Sequence, residues 1–354
     1  MTPSLRTLLT ALIPLTATQA ATPHPQITIT NQVLRATVYL PDAGNAFYKG
    51  TRFDHAGMIG SLHFAGHNYF PQWFTRIDPE VHDFKYDGDA IVASPCTAAT
   101  GPAEEFSTNG KPLGFDTAKA GQTFIKIGVG LLLRPDNRDY DPYRLYPIRN
   151  AGSWSVRTTS RSVECQQHLE DPSSGHAYQY RKTIYLAPGK TPRLILAHSL
   201  RNLGQHTLET DVYNHNFLYL DQLPPSPGTR ISLPFEIKAT PEPDAALAKT
   251  EGRSIKFQRT FSGEDRIFMQ IQGFSQSAAD YDVRIDHLQA GAGLRIRGDR
   301  PLSRMALWSI RAPISLEPFL HICIEPGEEY QWQIAYDLYT LDQPGSKPVK
   351  TPGN

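Results

Sequence analysis

Residues 178–185 read Tyr-Gln-Tyr-Arg-Lys-Thr-Ile-Tyr, and residues 266–272 read Arg-Ile-Phe-Met-Gln-Ile-Gln. Polar and apolar side chains alternate in both stretches, as in a β-strand that has one face in contact with water. Similar short runs rich in Val, Ile, Thr, Tyr and Phe recur from residue 26 to residue 341, separated by Gly, Pro, Asn or Asp. Segments with helical periodicity are almost absent. The pattern predicts an all-β protein folded as a large antiparallel sandwich.

The charge of the chain limits the kinds of ligand it can bind. Its 354 residues include 35 Lys and Arg against 35 Asp and Glu. With no net charge and no long basic block, the chain has no electrostatic basis for binding a nucleic acid or an anionic membrane surface. We therefore expect a ligand that is neutral or modestly charged. The cysteines Cys96, Cys165 and Cys323 are too few and too scattered for a disulfide framework or a CxxC metal site.

The first 21 residues have the order of a secretory signal peptide. A single cation, Arg6, precedes an apolar stretch from Leu8 to Leu15, and small residues suited to signal peptidase follow at Ala20 and Ala21. We therefore expect a secreted or periplasmic protein. Residues 22–342 are expected to form a single domain, and the Pro-, Gly- and Lys-containing tail 343–354 is expected to be disordered. No later apolar run approaches the ~20 residues needed to span a bilayer.

A long segment, residues 66–118, is rich in Gly, Pro, aromatic and acidic residues and has no clear period. Loop regions of this length are often functional, so the segment is expected to cover a ligand-binding cleft. Its candidate binding residues are Arg76, Glu104 and Glu105, with Trp73, His82 and Asp83 as further candidates. Glu104 and Glu105 lie in the sequence Gly-Pro-Ala-Glu-Glu-Phe, which we interpret as a turn that presents two carboxylates to a polyol. A solvated acidic turn is the alternative.

His215 lies in an unusually polar strand. Residues 211–221 read Asp-Val-Tyr-Asn-His-Asn-Phe-Leu-Tyr-Leu-Asp, which sets this histidine between two amides in an otherwise apolar run. By strand alternation, Asn214 and Asn216 point to the face opposite His215, so we expect them to be structural. The histidine itself is either a core residue bonded to backbone carbonyls or a ligand-facing residue, and the polar cluster favours the second reading.

Glu317 is the matching carboxylate about a hundred residues later. It lies in a second apolar run, Ile314-Ser-Leu-Glu-Pro-Phe-Leu-His-Ile-Cys-Ile324. A His and a Glu on two strands form a plausible acid/base pair. Two alternatives stay open: Glu317 can be a strand-edge carboxylate that faces water, and Glu325, which follows the same run, can serve as the base.

Four pieces of the sequence together resemble the galactose mutarotase-like superfamily, the β-super-sandwich of aldose 1-epimerases and several carbohydrate-processing domains. They span most of the chain, and their order and spacing carry the resemblance. In sequence order they are Arg52-Phe-Asp-His-Ala-Gly-Met-Ile-Gly-Ser-Leu-His-Phe-Ala-Gly-His67, Ser199-Leu-Arg-Asn-Leu-Gly204, Tyr213-Asn-His-Asn-Phe217, and Ile314-Ser-Leu-Glu-Pro-Phe319 followed by Pro326-Gly-Glu328 and Tyr330-Gln-Trp-Gln-Ile-Ala-Tyr336.

The resemblance implies an isomerase that acts on a sugar hemiacetal without a metal or nucleotide cofactor. It assigns His215 as the general acid on the ring oxygen and Glu317 as the base on the anomeric hydroxyl. The implied partner is a mono- or oligosaccharide. The chain departs from the family pattern in one respect, since it contains no Gly-Leu-His-Gly-Gly type segment. The residues expected to bind the sugar are Arg52, His67, Arg76, Glu104, Glu105, Tyr213 and Asp221.

Two other functions are compatible with the same fold. A polysaccharide lyase or other glycoside-processing enzyme would use Tyr213 and His215 to abstract a proton, with Arg52 or Arg76 neutralising a uronate carboxylate. A non-catalytic carbohydrate-binding module would need no such pair. The neutral chain disfavours a cleft that grips a polyanion, but fold alone does not choose among the three functions.

Overall fold

A computed structural model describes residues 23–42, 44–107 and 110–341. The predicted signal peptide, residues 1–21, and the predicted tail, residues 343–354, lie outside the described residues. Nearly all regular structure is strand, and the strands pair almost entirely in antiparallel fashion, which confirms the predicted all-β class. Within the described ranges, no helix has the length and apolar character needed to cross a membrane.

The strands follow one another with short connections. In chain order they are β1 (Gln26–Thr30), β2 (Leu34–Tyr39), β3 (Met58–Phe64), β4 (His67–Asn68), β5 (Arg76–Ile77), β6 (Phe84–Asp87), β7 (Ala90–Ala93), β8 (Gly101–Ser107), β9 (Thr123–Lys126), β10 (Gly130–Leu133), β11 (Ile148–Asn150), β12 (Ser153–Thr158) and β13 (Ser162–Asp171). They continue with β14 (His176–Leu186), β15 (Arg193–Asn202), β16 (Leu208–Phe217), β17 (Thr229–Ser232), β18 (Lys238–Thr240), β19 (Ala248–Glu251), β20 (Ser254–Phe257), β21 (Arg266–Gln272), β22 (Asp282–His287), β23 (Ala292–Gly298), β24 (Arg304–Ile310), β25 (Ile314–Ile324) and β26 (Glu329–Thr340). Short 3-10 helices cover Leu220–Gln222 and Ala278–Asp280.

Two large sheets form the sandwich. One has ten strands in the order β12-β13-β14-β15-β26-β23-β22-β17-β20-β19, and the other has six in the order β18-β21-β24-β25-β16-β8. Contacts such as that between the Phe106 and Trp332 rings, 6.3 Å apart, join the two inner faces. The alternation in the sequence produces this core, because every second residue of β21, namely Ile267, Met269 and Ile271, is buried.

Three smaller sheets flank the sandwich, in the orders β1-β2-β3-β4, β11-β10-β9 and β5-β7-β6. The last of these lies within the segment 66–118 that was expected to cover a cleft. The sequence Gly-Pro-Ala-Glu-Glu-Phe is not a turn, which corrects that interpretation. It belongs to β8, every residue of which is buried, and β8 pairs with β16 from Gly101 opposite Phe217 to Ser107 opposite Asp211.

The register of the six-stranded sheet decides which side chains meet. Glu105 pairs with Tyr213, and Glu104 pairs with Asn214, so these two pairs point to opposite faces. Because Tyr213 pairs with Phe319, two residues from Glu317, that carboxylate shares the face of Tyr213. This face, which we call the outer face, lies away from the ten-stranded sheet.

Candidate functional site

A cavity of about 110 Å³ opens on the outer face of the six-stranded sheet. Its floor comes from strands β16, β21, β24 and β25, and its walls come from the loops that hold Arg52, Asp83, Thr97 and Tyr143. The floor residues that line it are His215, Phe217, Arg266, Phe268, Trp308 and Glu317.

His215 and Glu317 lie side by side in this cavity. The imidazole Nε2 is 3.2 Å from the Glu317 Oε1, and the two side chains are 6% and 10% exposed. Phe217 stacks on the His215 ring with centroids 3.9 Å apart, and Phe53 and Trp308 meet the ring at steep angles at 5.7 and 5.3 Å. The two residues that the sequence suggested as a pair therefore lie together on one face of the sheet.

The aromatic surroundings change how both groups titrate. Burial raises the pKa of Glu317 to about 7, although the nearby Arg52 charge opposes this shift. Burial also lowers the pKa of His215 well below its usual range, and Arg52 adds to that effect. Among the described residues the His215 Nδ1 has no hydrogen-bond partner, although it is buried. Between about pH 4.5 and 7 the Glu317 carboxyl is therefore neutral, although an ordinary Glu is ionised there. The His215 imidazole likewise stays neutral at pH values where an ordinary His is protonated.

Arg52, Glu105 and Tyr213 form a charged network beside the pair. The Glu105 carboxylate accepts hydrogen bonds from Arg52 Nε at 2.7 Å, from the Tyr213 hydroxyl at 2.7 Å and from Lys126 Nζ at 3.1 Å. Arg52 Nη2 also donates to the Tyr213 hydroxyl at 3.0 Å. Burial alone would raise the pKa of Glu105, but the charges of Lys126 and Arg52 hold it down at about 2. Arg52 lines the cavity, whereas Glu105 and Tyr213 do not. These two residues fix the Arg52 side chain through their hydrogen bonds to it.

Glu104 points away from the cavity, which corrects its expected role in binding a ligand there. Its carboxylate is fully buried between the sheets and accepts hydrogen bonds from His198 Nε2 at 2.9 Å and from Asn214 Nδ2 at 2.8 Å. Lys182 Nζ forms an ion pair with it. The physical reason is that adjacent strand residues face opposite sides of a sheet. Asn216 lies on this inner face too, as expected, and accepts a hydrogen bond from the Tyr336 hydroxyl.

Three other predicted binding residues also lie away from the cavity lining. His67 Nδ1 is 2.6 Å from the Asp221 Oδ2, and the Asp221 Oδ1 accepts from the backbone N–H of Asn68 at 2.8 Å. His67 and Asp221 therefore contact each other rather than His215. Arg76, 48% exposed, forms ion pairs with Asp78 and Asp87. It lies on the edge strand β5, whose side chains face the solvent.

The sequence reading missed several cavity residues. Arg266 and Phe268 occupy alternate positions of β21, a strand recognised from its alternation, but nothing in its local sequence distinguishes the cavity face from a solvated one. No feature of the local sequence indicated that Tyr143 or Trp308 would line a cavity. Of the further candidates Trp73, His82 and Asp83, only Asp83 is among the residues that line the cavity, and it accepts a hydrogen bond from Thr97 Oγ1 at 2.8 Å. Burial raises the pKa of this carboxyl.

Metal binding has no evident site in the part of the chain that the structure describes. No three His, Cys, Asp or Glu side chains there lie close enough together to hold a metal ion. Cys96, Cys165 and Cys323 are all free thiols, the first two buried and the third exposed.

Comparison with protein-family models finds no match, and neither does comparison with curated proteins. Solved structures do match over nearly the whole chain. A protein of Synechocystis sp. PCC 6803 has a TM-score of 0.53 at 11% identity, covering 94% of this chain and 100% of its own. A galactose mutarotase-like protein of Clostridium acetobutylicum has a TM-score of 0.51 at 12% identity, with 89% of this chain and 95% of its own covered.

A galactose mutarotase related enzyme of Lactobacillus acidophilus gives a similar result. Its TM-score is 0.50 at 13% identity, and the match covers 90% of this chain and 99% of that one. Sequence identities this low establish shared architecture and nothing about activity. The chain therefore has the galactose mutarotase-like fold.

Proposed function

We propose that this protein is an aldose 1-epimerase-like isomerase that opens and recloses the ring of a sugar hemiacetal. The observation that carries the proposal is the direct contact of 3.2 Å between His215 and Glu317 in an aromatic-walled cavity on the outer face. Ring opening needs a base at the anomeric hydroxyl and an acid at the ring oxygen, two atoms that are close neighbours on one sugar. An imidazole and a carboxylate in contact fit that spacing.

The chemistry conserves protons and electrons within the pair and the sugar. The Glu317 carboxylate removes the proton from the anomeric hydroxyl, and the C1–O1 bond becomes a carbonyl. The electron pair of the C1–O5 bond passes to the ring oxygen, which receives a proton from His215. After rotation about the C1–C2 bond, the same steps run in reverse on the other face of the aldehyde. The result is exchange of the two anomers.

The titration of the pair fits this cycle. Because the two groups touch, they titrate as a unit with two macroscopic pKa values. One value is low, because burial lowers the pKa of His215, and the other is about 7, because burial raises the pKa of Glu317. Between these values the pair holds one proton, which resides mainly on Glu317. Transfer of that proton to His215 across the 3.2 Å contact gives the carboxylate base and the imidazolium acid that the cycle uses.

Other cavity residues would orient the sugar. Phe268 lines the cavity and is 43% exposed, so its ring is free to stack on the apolar face of a pyranose. Arg52, Asp83 and Arg266 supply donors and acceptors for hydroxyl groups around the same cavity. Solved structures named for galactose mutarotase share the fold, which supports a carbohydrate substrate without identifying it.

Polarimetry with a panel of freshly dissolved reducing sugars tests the proposal. We expect the protein to accelerate mutarotation of at least one sugar, and we expect Glu317→Gln and His215→Asn each to reduce kcat/KM by roughly 10²–10⁴-fold, the usual contribution of a general acid or base. Glu325→Gln is the matched control, because that carboxylate is exposed and accepts a hydrogen bond from Thr207 at 2.9 Å. Full activity in both cavity variants would refute the assignment. Unsaturated products from a uronate polymer would instead indicate a lyase.

We further propose that the chain is exported, with residues 1–21 removed. The order of Arg6, the apolar stretch Leu8 to Leu15 and the small residues Ala20 and Ala21 supports this proposal. Mass spectrometry of the protein from its native host should find an N-terminus near Thr22. A cytoplasmic protein that retains residues 1–21 would contradict it.

A further inference from the structure

A second recess lies outside the His215 cavity and shares none of its lining residues. This groove encloses about 560 Å³, within the range of ligand sites and well above the roughly 110 Å³ of the His215 cavity. Its walls include Gln72, Trp73, Asp89, Tyr219, Gln222 and Arg311. We propose that the groove is a second carbohydrate site, which binds a neutral oligosaccharide.

The side chains of the groove have the chemistry of sugar recognition. Tyr219 contributes a partly buried ring, and Gln222 adds an exposed amide that can donate and accept. The Gln72 Nε2 donates to the Phe74 carbonyl at 2.8 Å, which leaves its amide a second N–H and its oxygen for a ligand. An aromatic ring offers a surface for the apolar face of a sugar, and the amides match its hydroxyl groups. Phe74, Pro224 and Phe261 add apolar surface to the same walls, so the groove combines polar and apolar groups as ligand sites commonly do.

The charges in the groove favour a neutral ligand. One exposed carboxylate, Asp89, and one guanidinium, Arg311, lie along its walls. Arg311 is held in place, because its Nη2 donates to the backbone carbonyls of Gly88 and Asp89 and its guanidinium lies 4.5 Å from the Tyr86 ring centroid. A single charge of each sign can bind hydroxyl groups but gives no net attraction for an ion.

The turn that carries Gln222 is held in an unfavourable backbone conformation. Asp221 and Gln222 have φ angles of 52° and 59°, a left-handed region that residues other than glycine rarely adopt. The contacts of Asp221 with His67 and the Asn68 backbone fix this turn. Strain of this kind persists where the surroundings impose it, often at ligand sites. His67 and Asp221, predicted to bind the sugar at the His215 cavity, thus position Gln222 at the groove instead.

The groove and the cavity share an aromatic partition. Trp73 lines the groove and stacks on Phe217 with centroids 5.4 Å apart and planes 9° apart. Phe217 lines the cavity and stacks on His215. Trp73 is only 3% exposed, so a ligand in the groove would touch little of its indole, but Phe217 alone separates this ring from the candidate acid. Tryptophan fluorescence, to which Trp73 contributes, is one readout of binding.

Calorimetric and fluorescence titrations of the full chain test the inference. The probes are neutral malto-, cello-, xylo- and galacto-oligosaccharides, and the protein carries Glu317→Gln so that isomerisation does not interfere. We expect at least one probe to bind, and we expect Tyr219→Ala to weaken it by about tenfold or more, the effect of losing an aromatic stacking surface. Gln222→Ala, an exposed position that leaves the core unchanged, should weaken it severalfold.

Two matched variants decide where the probe binds. Tyr185→Ala removes a half-buried tyrosine on β14 in the ten-stranded sheet, far from the groove in the fold, and should not change the affinity. Phe268→Ala removes the ring that would stack on a sugar in the His215 cavity, so the affinity of the groove for the probe should not change. Loss of binding in Phe268→Ala with normal binding in Tyr219→Ala and Gln222→Ala would overturn the inference, as would failure of every probe to bind. Binding in the Glu317→Gln background does not depend on isomerase activity, so this inference and the proposed function can fail separately.

Discussion

Glu104 and Glu105 are adjacent in β8, yet the two carboxylates lie in different environments on opposite faces of the sheet. Glu104 on the inner face accepts hydrogen bonds from His198 and Asn214 and pairs with Lys182. Glu105 on the outer face fixes Arg52 and Tyr213 beside the candidate acid/base pair. The same residue type is thus structural on one face and a support for the cavity on the other.

The contrast is sharper between Glu104 and Glu317. Both carboxylates are buried, but the charge of Lys182 and the hydrogen bond from His198 overcome the effect of burial and lower the pKa of Glu104. Glu317 has no such cation in direct contact among the described residues, and burial raises its pKa to about 7. A buried carboxylate that is paired with a cation stays ionised, and its ion pair stabilises the fold. A buried carboxylate without one can exchange a proton near neutral pH.

The largest expected effect comes from removing the charge of Glu104. In Glu104→Gln the buried ammonium of Lys182 retains the weaker pairing with Asp54 at 3.5 Å and a hydrogen bond to the Gly57 carbonyl at 3.3 Å. Breaking a buried ion pair in this way should reduce the free energy of unfolding by about 3–5 kcal/mol. Urea unfolding followed by circular dichroism measures the loss. Arg76→Ala, which removes exposed ion pairs with Asp78 and Asp87, should have a much smaller effect, and equal losses would contradict the comparison.

Glu317→Gln is expected to increase the free energy of unfolding at alkaline pH, whereas Glu104→Gln decreases it. The pKa of the wild-type carboxyl is about 7 in the folded state but 4.5, the ordinary value for Glu, in the unfolded state, so the folded state loses stability as the pH rises from 4.5 to 7. At pH 8 the loss is about 3 kcal/mol, which Gln avoids because it has no charge to bury. The variant should therefore be more stable than the wild type at pH 8 and similar to it at pH 4. Thermal unfolding at the two pH values measures this, and a pH-independent difference would count against it.

The pH profile of turnover should show a smaller effect. Above about pH 7 the pair loses its shared proton, so kcat/KM of the wild type should fall by about tenfold per pH unit. The negative charge of Glu105 raises the pKa values of both Glu317 and His215. Glu105→Gln should therefore move the alkaline limb to lower pH. The exposed carboxylate of Glu170, on the far sheet, provides the control: if Glu170→Gln shifts the limb equally, the effect is not specific to the network.

The candidate acid/base pair could be proposed from the sequence because both residues break an apolar strand pattern. His215 lies between two amides, and Glu317 lies in a run of buried residues. A polar group in a strand with both faces buried must be hydrogen-bonded or functional. Such a group can be recognised from the sequence of that strand alone. Arg266 and Phe268 carry no such signal, since half of the residues in any alternating strand face outwards. The strand β8 was missed because Gly, Pro and two Glu residues have low strand propensity, and only its pairing with β16 fixes it.

By itself, the sequence determined the all-β class and, in strands recognised from their alternation, the division of residues between sheet faces, because strand alternation depends on nearest neighbours along the chain. Strand alternation correctly placed His215 on one face of its sheet and Asn214 and Asn216 on the other. Only the tertiary structure decided which face holds the cavity, and which charges surround each carboxylate. Residues distant in sequence, such as Lys182 for Glu104 and Arg52 for Glu317, set those environments. Electrostatic energies depend on distance and burial in three dimensions, and neither is encoded in local order.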